Sequence, residues 1–270
     1  DNDEGNPLIR DYLSQEIENK FRAERKLFLK EGMEATYGVL YEYAKYNNST
    51  SEKRLNPATG ALESVAFQSD FKAHKYGAFV QANRRLMQER LTVSAGMRID
   101  GSTAASGLVN PLKQWSPRVS ASFAFAPGWT FNANAGMYSQ LPAYTILGYA
   151  VGDARVNATD STSYLNNRQL VAGLKWDGSE KNFVVSVEGF FKGYQNSPIS
   201  SLQGVALANL GADFGVVGNE AVTFDGLGRS YGAELLLQQR LYKGFYGLLA
   251  YTFVRSEFED SSGEFVPSSW

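Results

Sequence analysis

The residue types that carry most enzyme and metal chemistry are scarce in this chain. Its 270 residues include no cysteine and one histidine, His74. These counts exclude a zinc finger, an iron–sulfur cluster, a disulfide scaffold and any mechanism that needs a cysteine nucleophile or two histidines. A single histidine cannot form a metal site alone. We therefore expect no catalytic residue, no bound metal and no cofactor.

One short motif of catalytic type does occur. Ser69-Asp70-Phe71-Lys72 matches the S-x-x-K pattern of serine acylases. That chemistry needs a helix to bring the serine and the lysine together, whereas this motif enters a predicted strand. Chance is therefore the better explanation of the match. Loop carboxylates such as Asp153 lack the spacing of an EF-hand, and we expect them to be solvated.

The composition describes a folded protein without a nucleic-acid surface. The chain has 26 basic and 28 acidic residues, and its formal net charge is −2. This balance indicates no broad cationic face, and no nucleic-acid partner is predicted. Hydrophobic residues make up 43% of the chain, which argues against wholesale disorder.

Apolar and polar residues alternate with a period of two along most of the chain. In residues 91–100 the odd positions are apolar and the even positions are polar or glycine, and 118–126 and 129–138 repeat the pattern closely. Such alternation is typical of strands with one apolar face. It predicts an all-β fold with ten strands, at 16–27, 33–46, 71–85, 91–101, 117–126, 129–139, 168–177, 183–195, 229–241 and 245–257.

The connections between these predicted strands alternate in length. Tight turns such as Pro127-Gly128 join strands into hairpins, and long loops occupy 47–70, 102–116, 140–167 and 196–228. Long loops on one rim and tight turns on the other are typical of an outer-membrane β-barrel, and strands of 9–11 tilted residues can cross a bilayer. A soluble sandwich has no reason to keep its long loops on one rim.

Aromatic residues beside the tight turns support a membrane location. Trp129 and Trp176 flank short turns, and Phe183 and Phe245 begin strands just after short turns. Rings at that height resemble the aromatic girdle of a membrane interface, although aromatic residues favour strands in any setting. The polar sides of the strands would line a water-filled or plugged lumen.

Several segments also occur together in the order and spacing of a known family. They are Tyr76–Gln81, Gly96–Asp100, Ser116–Ser120, Ala135–Tyr138 with Leu141-Pro142, the stretch from Ala208 to Glu220, and Tyr231–Glu234. Each segment is a weak signal alone, but the set covers nearly the whole chain from about Ile17 onward. It resembles the barrel of TonB-dependent outer-membrane receptors, and most closely those of Bacteroidetes-type bacteria.

The resemblance implies a transmembrane, antiparallel up-and-down β-barrel of 22 strands, closed by an N-terminal plug. Residues 1–270 would form about ten of these strands, as a partial barrel domain without the plug. The implied activity is uptake of a scarce nutrient across the outer membrane of a Gram-negative bacterium, powered by TonB. Because no plug and no TonB box are recognisable, we interpret the chain as an internal piece of a longer receptor.

The resemblance also implies partners. These are the lipid of the outer membrane, TonB acting through the plug region, and a small nutrient ligand whose identity the sequence does not give. Whether a surface lipoprotein caps the barrel stays open. The alternative is a complete ten-stranded barrel that acts as a porin or as a membrane enzyme. His74 lies outside any recognisable acid or serine cluster, which disfavours the enzyme.

Candidate ligand contacts belong to the long loops and to the lumen face. The loop candidates are Tyr144, Tyr149, Asn166, Gln203 and Asn219, and the lumen candidates are Arg98, Arg118 and Tyr138. For any single one of them, loop packing or hydration in the lumen is the more frequent role.

Overall fold

The computed structural model describes residues 10–30, 32–55, 60–178, 182–210 and 219–268. Most of them are in antiparallel strands. The long strands are β1 (Arg10–Phe28), β2 (Met33–Leu55), β3 (Leu62–Leu86), β4 (Leu91–Ser102), β5 (Arg118–Ala126), β6 (Trp129–Gln140), β9 (Leu165–Gly178), β10 (Phe183–Ser200), β11 (Val222–Tyr242) and β12 (Phe245–Glu259). Shorter elements are α1 (Tyr144–Gly148), β7 (Ala150–Val151), β8 (Ala154–Arg155), β13 (Phe265–Pro267) and 3₁₀ turns at Ser106–Leu108, Pro111–Lys113 and Leu207–Asn209.

Eleven strands form one sheet in the order β1-β2-β3-β4-β5-β6-β9-β10-β11-β12-β13. Each long strand therefore pairs with the long strand that follows it in the chain. This confirms the up-and-down arrangement that the sequence predicts. In the part of the chain that the structure describes, β1 and β13 do not pair with each other, so the sheet is a partial, open barrel. A closed ten-stranded barrel is not formed.

Several strands are longer at the long-loop rim than the sequence predicts. β2 and β3 stay paired as far as Leu55 and Leu62, so most of the predicted loop 47–70 is two strand arms. β10 and β11 likewise extend to Ser200 and back from Val222. The loop prediction was wrong there because residues 47–54 of β2 are polar on both faces, although Val65 and Phe67 give the β3 arm apolar residues on its inner face. A strand that stands in water above a membrane needs no apolar face, and so it shows no alternation.

The two faces of the sheet differ in chemistry. The outer face exposes large apolar side chains, among them Tyr41, Leu174 and Phe191. The inner face carries the polar residues of the same strands and receives the long loops. This separation follows from the alternation in the sequence, since neighbours along a strand point to opposite faces. Within the described residues, no helix is long and apolar enough to cross a membrane.

The main buried cluster lies on the inner face near the long-loop rim. The connection from β6 to β9 folds inward, so that α1 packs on β2 and β3. The ring of Tyr144 lies 5.8 Å from that of Tyr46 and 5.6 Å from that of Phe71, and Leu147 is fully buried. Burying a leucine of this size contributes about 2 kcal/mol. The inward fold of this loop is therefore held by apolar packing.

The backbone of α1 approaches the strands closely at Gly148. A Cβ atom there would lie 2.9 Å from both Ser69 Oγ and Tyr46 Cε1.

The S-x-x-K motif does not bring its serine and lysine together. Ser69 is buried on the inner face, whereas Lys72 is exposed on the outer face of β3. The two side chains therefore point to opposite faces of β3 and cannot act together, which agrees with chance as the explanation of the match.

Candidate ligand-binding site

A polar recess of about 440 Å³ lies on the inner face. We call it the arginine recess. Three of the predicted site residues line it together, namely Arg98, Arg118 and Tyr138. Arg22 and Phe79 line it as well, and the guanidinium carbon of Arg22 lies 5.0 Å from the Phe79 ring centroid. The structure therefore brings the lumen candidates to one place.

Strand register explains how Arg118 and Tyr138 meet. Gly136 of β6 lies directly opposite Arg118 of β5, and Tyr138 is two residues further along the same face. The guanidinium carbon of Arg118 lies 4.1 Å from the centroid of the Tyr138 ring, a cation–π geometry. A Cβ atom at Gly136 would lie 3.1 Å from Arg118 Cγ and 3.3 Å from Tyr138 Cε2. Glycine at this position therefore leaves room for the stack.

The charges of the arginine recess are unevenly compensated. Arg98 donates from Nε and Nη2 to the two carboxylate oxygens of Asp100, at 2.7 and 2.6 Å. Arg22 donates to Glu24 at 2.8 and 2.5 Å. Arg118 forms no ion pair with any carboxylate of the described ranges. Its guanidinium thus keeps N–H donors free for an anion, which is the group that guanidinium binds most strongly.

A second recess of about 620 Å³ lies nearer the long-loop rim, and we call it the apolar recess. Its wall includes Tyr138 and Asn166, which the sequence predicted, and Asn167, which it did not. The side-chain oxygen of Asn167 is buried without a hydrogen-bond partner among the described residues. Apolar members of the wall are Ile146, Leu165, Pro198, Leu207 and Phe258.

An ionic network lies beside these recesses on the inner faces of β1 to β3. Lys75 Nζ lies 2.8 Å from Glu18 Oε1 and also pairs with Glu42. Lys20 Nζ lies 2.5 Å from Glu18 Oε2 and 3.5 Å from Glu42 Oε2. Two lysines and two glutamates therefore balance one another here, in contrast to Arg118.

Three of the loop candidates are packed into the structure. Tyr144 and Tyr149 are 7% and 8% exposed, and the Tyr149 ring packs edge-on to Phe67 at 5.1 Å. Asn219 is 9% exposed, and its amide nitrogen donates to Glu52. These contacts give each side chain a structural role. Their predicted role as ligand contacts stays a prediction.

The other two loop candidates are more accessible. Gln203 lies in the turn after β10, where its backbone N–H donates to Ser200 Oγ at 2.9 Å. Asn166 belongs to β9 rather than to a loop, and its Oδ1 accepts from Ser139 Oγ at 2.9 Å. Of the five loop candidates, Asn166 alone lines the apolar recess.

Burial also shifts the acid–base behaviour of the inward loop. It raises the pKa of Tyr144 and of Tyr164, so both phenols stay neutral at physiological pH. It lowers the pKa of Arg155, whose guanidinium donates to the carbonyl of Ala104 at 3.0 Å and stacks 4.3 Å from the Phe71 ring centroid. These groups fix the loop above the recesses.

In the described part of the chain, no group of three or more His, Asp or Glu side chains is arranged so that it could hold a metal ion. His74 lies on the outer face of β3. Its Nδ1 is 2.7 Å from the hydroxyl of Tyr41. The histidine is thus paired with a tyrosine on the outer face, away from both recesses.

Sequence reasoning missed the residue that joins the loops. Asn157 is 2% exposed, and its amide nitrogen donates to the carbonyls of Ile146 and Glu220 at 2.9 and 2.8 Å. Its Oδ1 accepts from the N–H of Val222 at 3.0 Å. No periodic pattern surrounds Asn157, because it lies in a loop rich in Asn, Ser and Thr. The sequence therefore held no signal for this role.

Comparison with protein families gives one match over almost the whole chain. Residues 2–269 match the family described as "TonB dependent receptor-like, beta-barrel". No protein of curated function matches the sequence. The part of the resemblance that falls on residues 211–218 lies outside the described residues.

Solved structures of similar fold cover most of this chain. The ferric-catecholate import receptor Fiu from E. coli K12 is 11% identical with a TM-score of 0.59, and the match covers 94% of this chain and 40% of Fiu. The copper transporter OprC is 17% identical with a TM-score of 0.62, covering 94% and 39%. The FrpB iron transporter from Neisseria meningitidis (F3-3 variant) is 14% identical with a TM-score of 0.64, covering 92% and 36%. At these identities the likeness concerns the fold alone, and the chain spans about two fifths of each structure.

Proposed function

Since this chain belongs to the TonB-dependent receptor β-barrel family, we propose that it forms part of the barrel wall of a receptor for energy-coupled nutrient uptake. Proteins of this family lie in the outer membrane of Gram-negative bacteria, and so does this chain. The proposal makes residues 1–270 a partial barrel domain of a longer protein. The plug and the remaining strands would come from other parts of that protein, and TonB would act through the plug.

The inner face of the sheet is the observation that carries this proposal. It holds a recess with one uncompensated guanidinium, Arg118, beneath a loop that packs inward through α1. A passive porin needs only a hydrated lumen, whereas a receptor needs a built binding surface below its external loops. The open sheet supports the same choice, because its free edges require further strands to satisfy their backbone groups in lipid.

The division of labour follows from this geometry. The loops near Asn157 and Asn219 would meet the ligand first, and the lumen residues Arg118 and Tyr138 would hold it. Release toward the periplasm would require the plug to move, powered by TonB. No residue of the chain is proposed as catalytic. The Bacteroidetes-type assignment and a capping lipoprotein rest on the sequence resemblance alone.

A comparison of spent culture media tests the proposal. The source organism would be grown as the parent strain, as a deletion of the receptor gene and as a deletion of TonB, and medium components would be quantified by mass spectrometry. We expect at least one compound that the parent depletes and that both deletion strains leave behind. The receptor gene supplied in trans should restore its depletion.

Two results would contradict energy-coupled uptake. If the receptor deletion leaves a compound in the medium while the TonB deletion still depletes it, the protein is a passive pore. If the receptor deletion changes no compound under any nutrient limitation tested, the protein does not take up a nutrient.

A further inference from the structure

The two recesses of the inner face share one side chain. Tyr138 lines both the arginine recess of about 440 Å³ and the apolar recess of about 620 Å³. A molecule that lies across Tyr138 therefore contacts a cationic region on one side and an apolar region on the other. Both volumes are within the range of small-molecule sites, about 300–1,000 Å³.

The arginine recess selects for negative charge at one point. Arg98 and Arg22 are each neutralised by a carboxylate two residues away on the same strand. Arg118 has its cation–π contact with Tyr138 and no ion pair within the described ranges. A guanidinium that rests on a ring keeps its edge free, and that edge binds a carboxylate through two parallel hydrogen bonds.

The apolar recess favours an apolar part of a ligand rather than a charged group. The rings of Tyr194 and Phe258 lie 5.3 Å apart in its wall, beside Ile146 and Leu207. Polar residues of the wall, among them Gln140, Asn166 and Gln195, stand at its margin and can hydrogen-bond to polar substituents on that part of a ligand.

We propose that the lumen binds an organic anion with an apolar, ring-sized body, such as an aromatic carboxylate. The carboxylate binds Arg118, and the body lies in the apolar recess across Tyr138. This inference rests on the proposed uptake function and names the chemical class of its substrate.

Two matched probes test it, 6-hydroxy-2-naphthoate and its neutral amide, 6-hydroxy-2-naphthamide. Each would be titrated by calorimetry into the full-length receptor that contains this chain, held in lipid nanodiscs, with empty nanodiscs as the blank. We expect the acid to bind at least about tenfold more tightly than the amide, because hydrogen bonds to charged groups are stronger than neutral ones.

The variants separate charge from shape. Arg118→Met should abolish the preference for the acid, whereas Arg118→Lys should keep part of it. The matched control is Arg168→Met, because Arg168 lies opposite Met137 on the outer face of β9 and should leave the preference unchanged. Leu207→Trp should fill the apolar recess, weakening both probes by a similar factor. Heat-modifiable migration on gels confirms that each variant is folded.

Equal affinity for acid and amide in the wild type overturns the proposal, and it would indicate that another part of the receptor, such as a plug carboxylate, neutralises Arg118. A preference that survives Arg118→Met overturns it as well. If neither probe binds, the proposal is overturned as well. A receptor that fails this test but still depletes its medium in a TonB-dependent manner keeps the proposed function and loses only the substrate class.

Discussion

The side-chain amide of Asn157 donates to the backbone carbonyl of Glu220, 63 residues further along the chain, at 2.8 Å. Together with its bonds to Ile146 and Val222, this single buried side chain links the inward loop to the start of β11. The two loops over the recesses therefore form one hydrogen-bonded unit.

Asn157→Leu should release this unit. It removes three hydrogen bonds and takes the Asn157 partner from the carbonyl of Glu220 and the N–H of Val222, at a cost of about 3 kcal/mol, whereas the Ile146 carbonyl keeps the N–H of Tyr149. Hydrogen exchange by mass spectrometry should show faster exchange in peptides that cover α1 and the start of β11. Asp153→Ala, an exposed position in the same loop, is the control. Unchanged exchange in the Asn157 variant would show that the loops are held by other contacts.

Tyr144→Phe should be neutral or slightly stabilising, by up to about 1 kcal/mol. The buried hydroxyl of Tyr144 has no hydrogen-bond partner among the described residues, so its removal costs no bond and keeps the ring packing. A ligand that needs this hydroxyl would instead lose affinity. Binding measurements on the two proteins therefore decide between a packing role and the ligand contact that the sequence predicts.

Alkaline pH should loosen the inward loop. Burial raises the pKa of Tyr144 and Tyr164 above the ordinary value of about 10, because it disfavours the phenolate. The packed loop is therefore fully stabilised below about pH 10 and loses that stability as the pH rises through and above this value. Hydrogen exchange between pH 9 and 11, corrected for its intrinsic pH dependence, measures the change. Tyr144→Phe should reduce the effect, and an equal response of both proteins would contradict it.

Gly136→Val should separate Arg118 from Tyr138 without unfolding the barrel. A Cβ atom at Gly136 is already within 3.4 Å of both side chains, and a branched residue would force them apart. Affinity for 6-hydroxy-2-naphthoate should fall about tenfold. Gly189→Val is the matched control, because a Cβ atom there meets nothing closer than 3.9 Å. If both valine variants bind the probe equally well, the stack does not position Arg118.

Lys75→Met should destabilise the barrel by about 1–3 kcal/mol, because it removes the more buried of the two lysines that Glu18 and Glu42 share and leaves them the exposed Lys20. Chemical unfolding in detergent measures the loss. The exposed pair of Lys26 with Glu34 provides the comparison, and Lys26→Met should cost less than about 1 kcal/mol. Equal losses would show that the network is no stronger than a surface pair.

Alternation in the sequence predicted the part of the site that lies on strands. Arg98, Arg118 and Tyr138 fall on the polar side of their strands, and the structure places them together on the inner face. The contact between Arg118 and Tyr138 needed one more fact, the register of β5 and β6, which depends on the geometry of the turn at Pro127-Gly128.

Loop contacts could not be predicted in the same way. The bond between Asn157 and Glu220 joins two segments without periodicity, and any of many Asn residues could have made it. The position of Asn167 in the apolar recess could not be predicted for a related reason. Other parts of that recess wall come from Ile146 and Leu207, which are distant in sequence. Residues 47–54 of β2 are polar on both faces, so the sequence pattern placed a loop where the structure has a strand.

The arms of β2 and β3 extend the sheet well beyond the recesses. Beyond Tyr43 the ladder continues from Tyr46↔Phe71 to Leu55↔Leu62, and at about 3.3 Å per residue these paired arms are roughly 30 Å long. Outward-facing positions of these arms, such as Gln68 and Asp70, are exposed. Substitutions there would therefore change the surface that the arms present to solvent without touching Arg118.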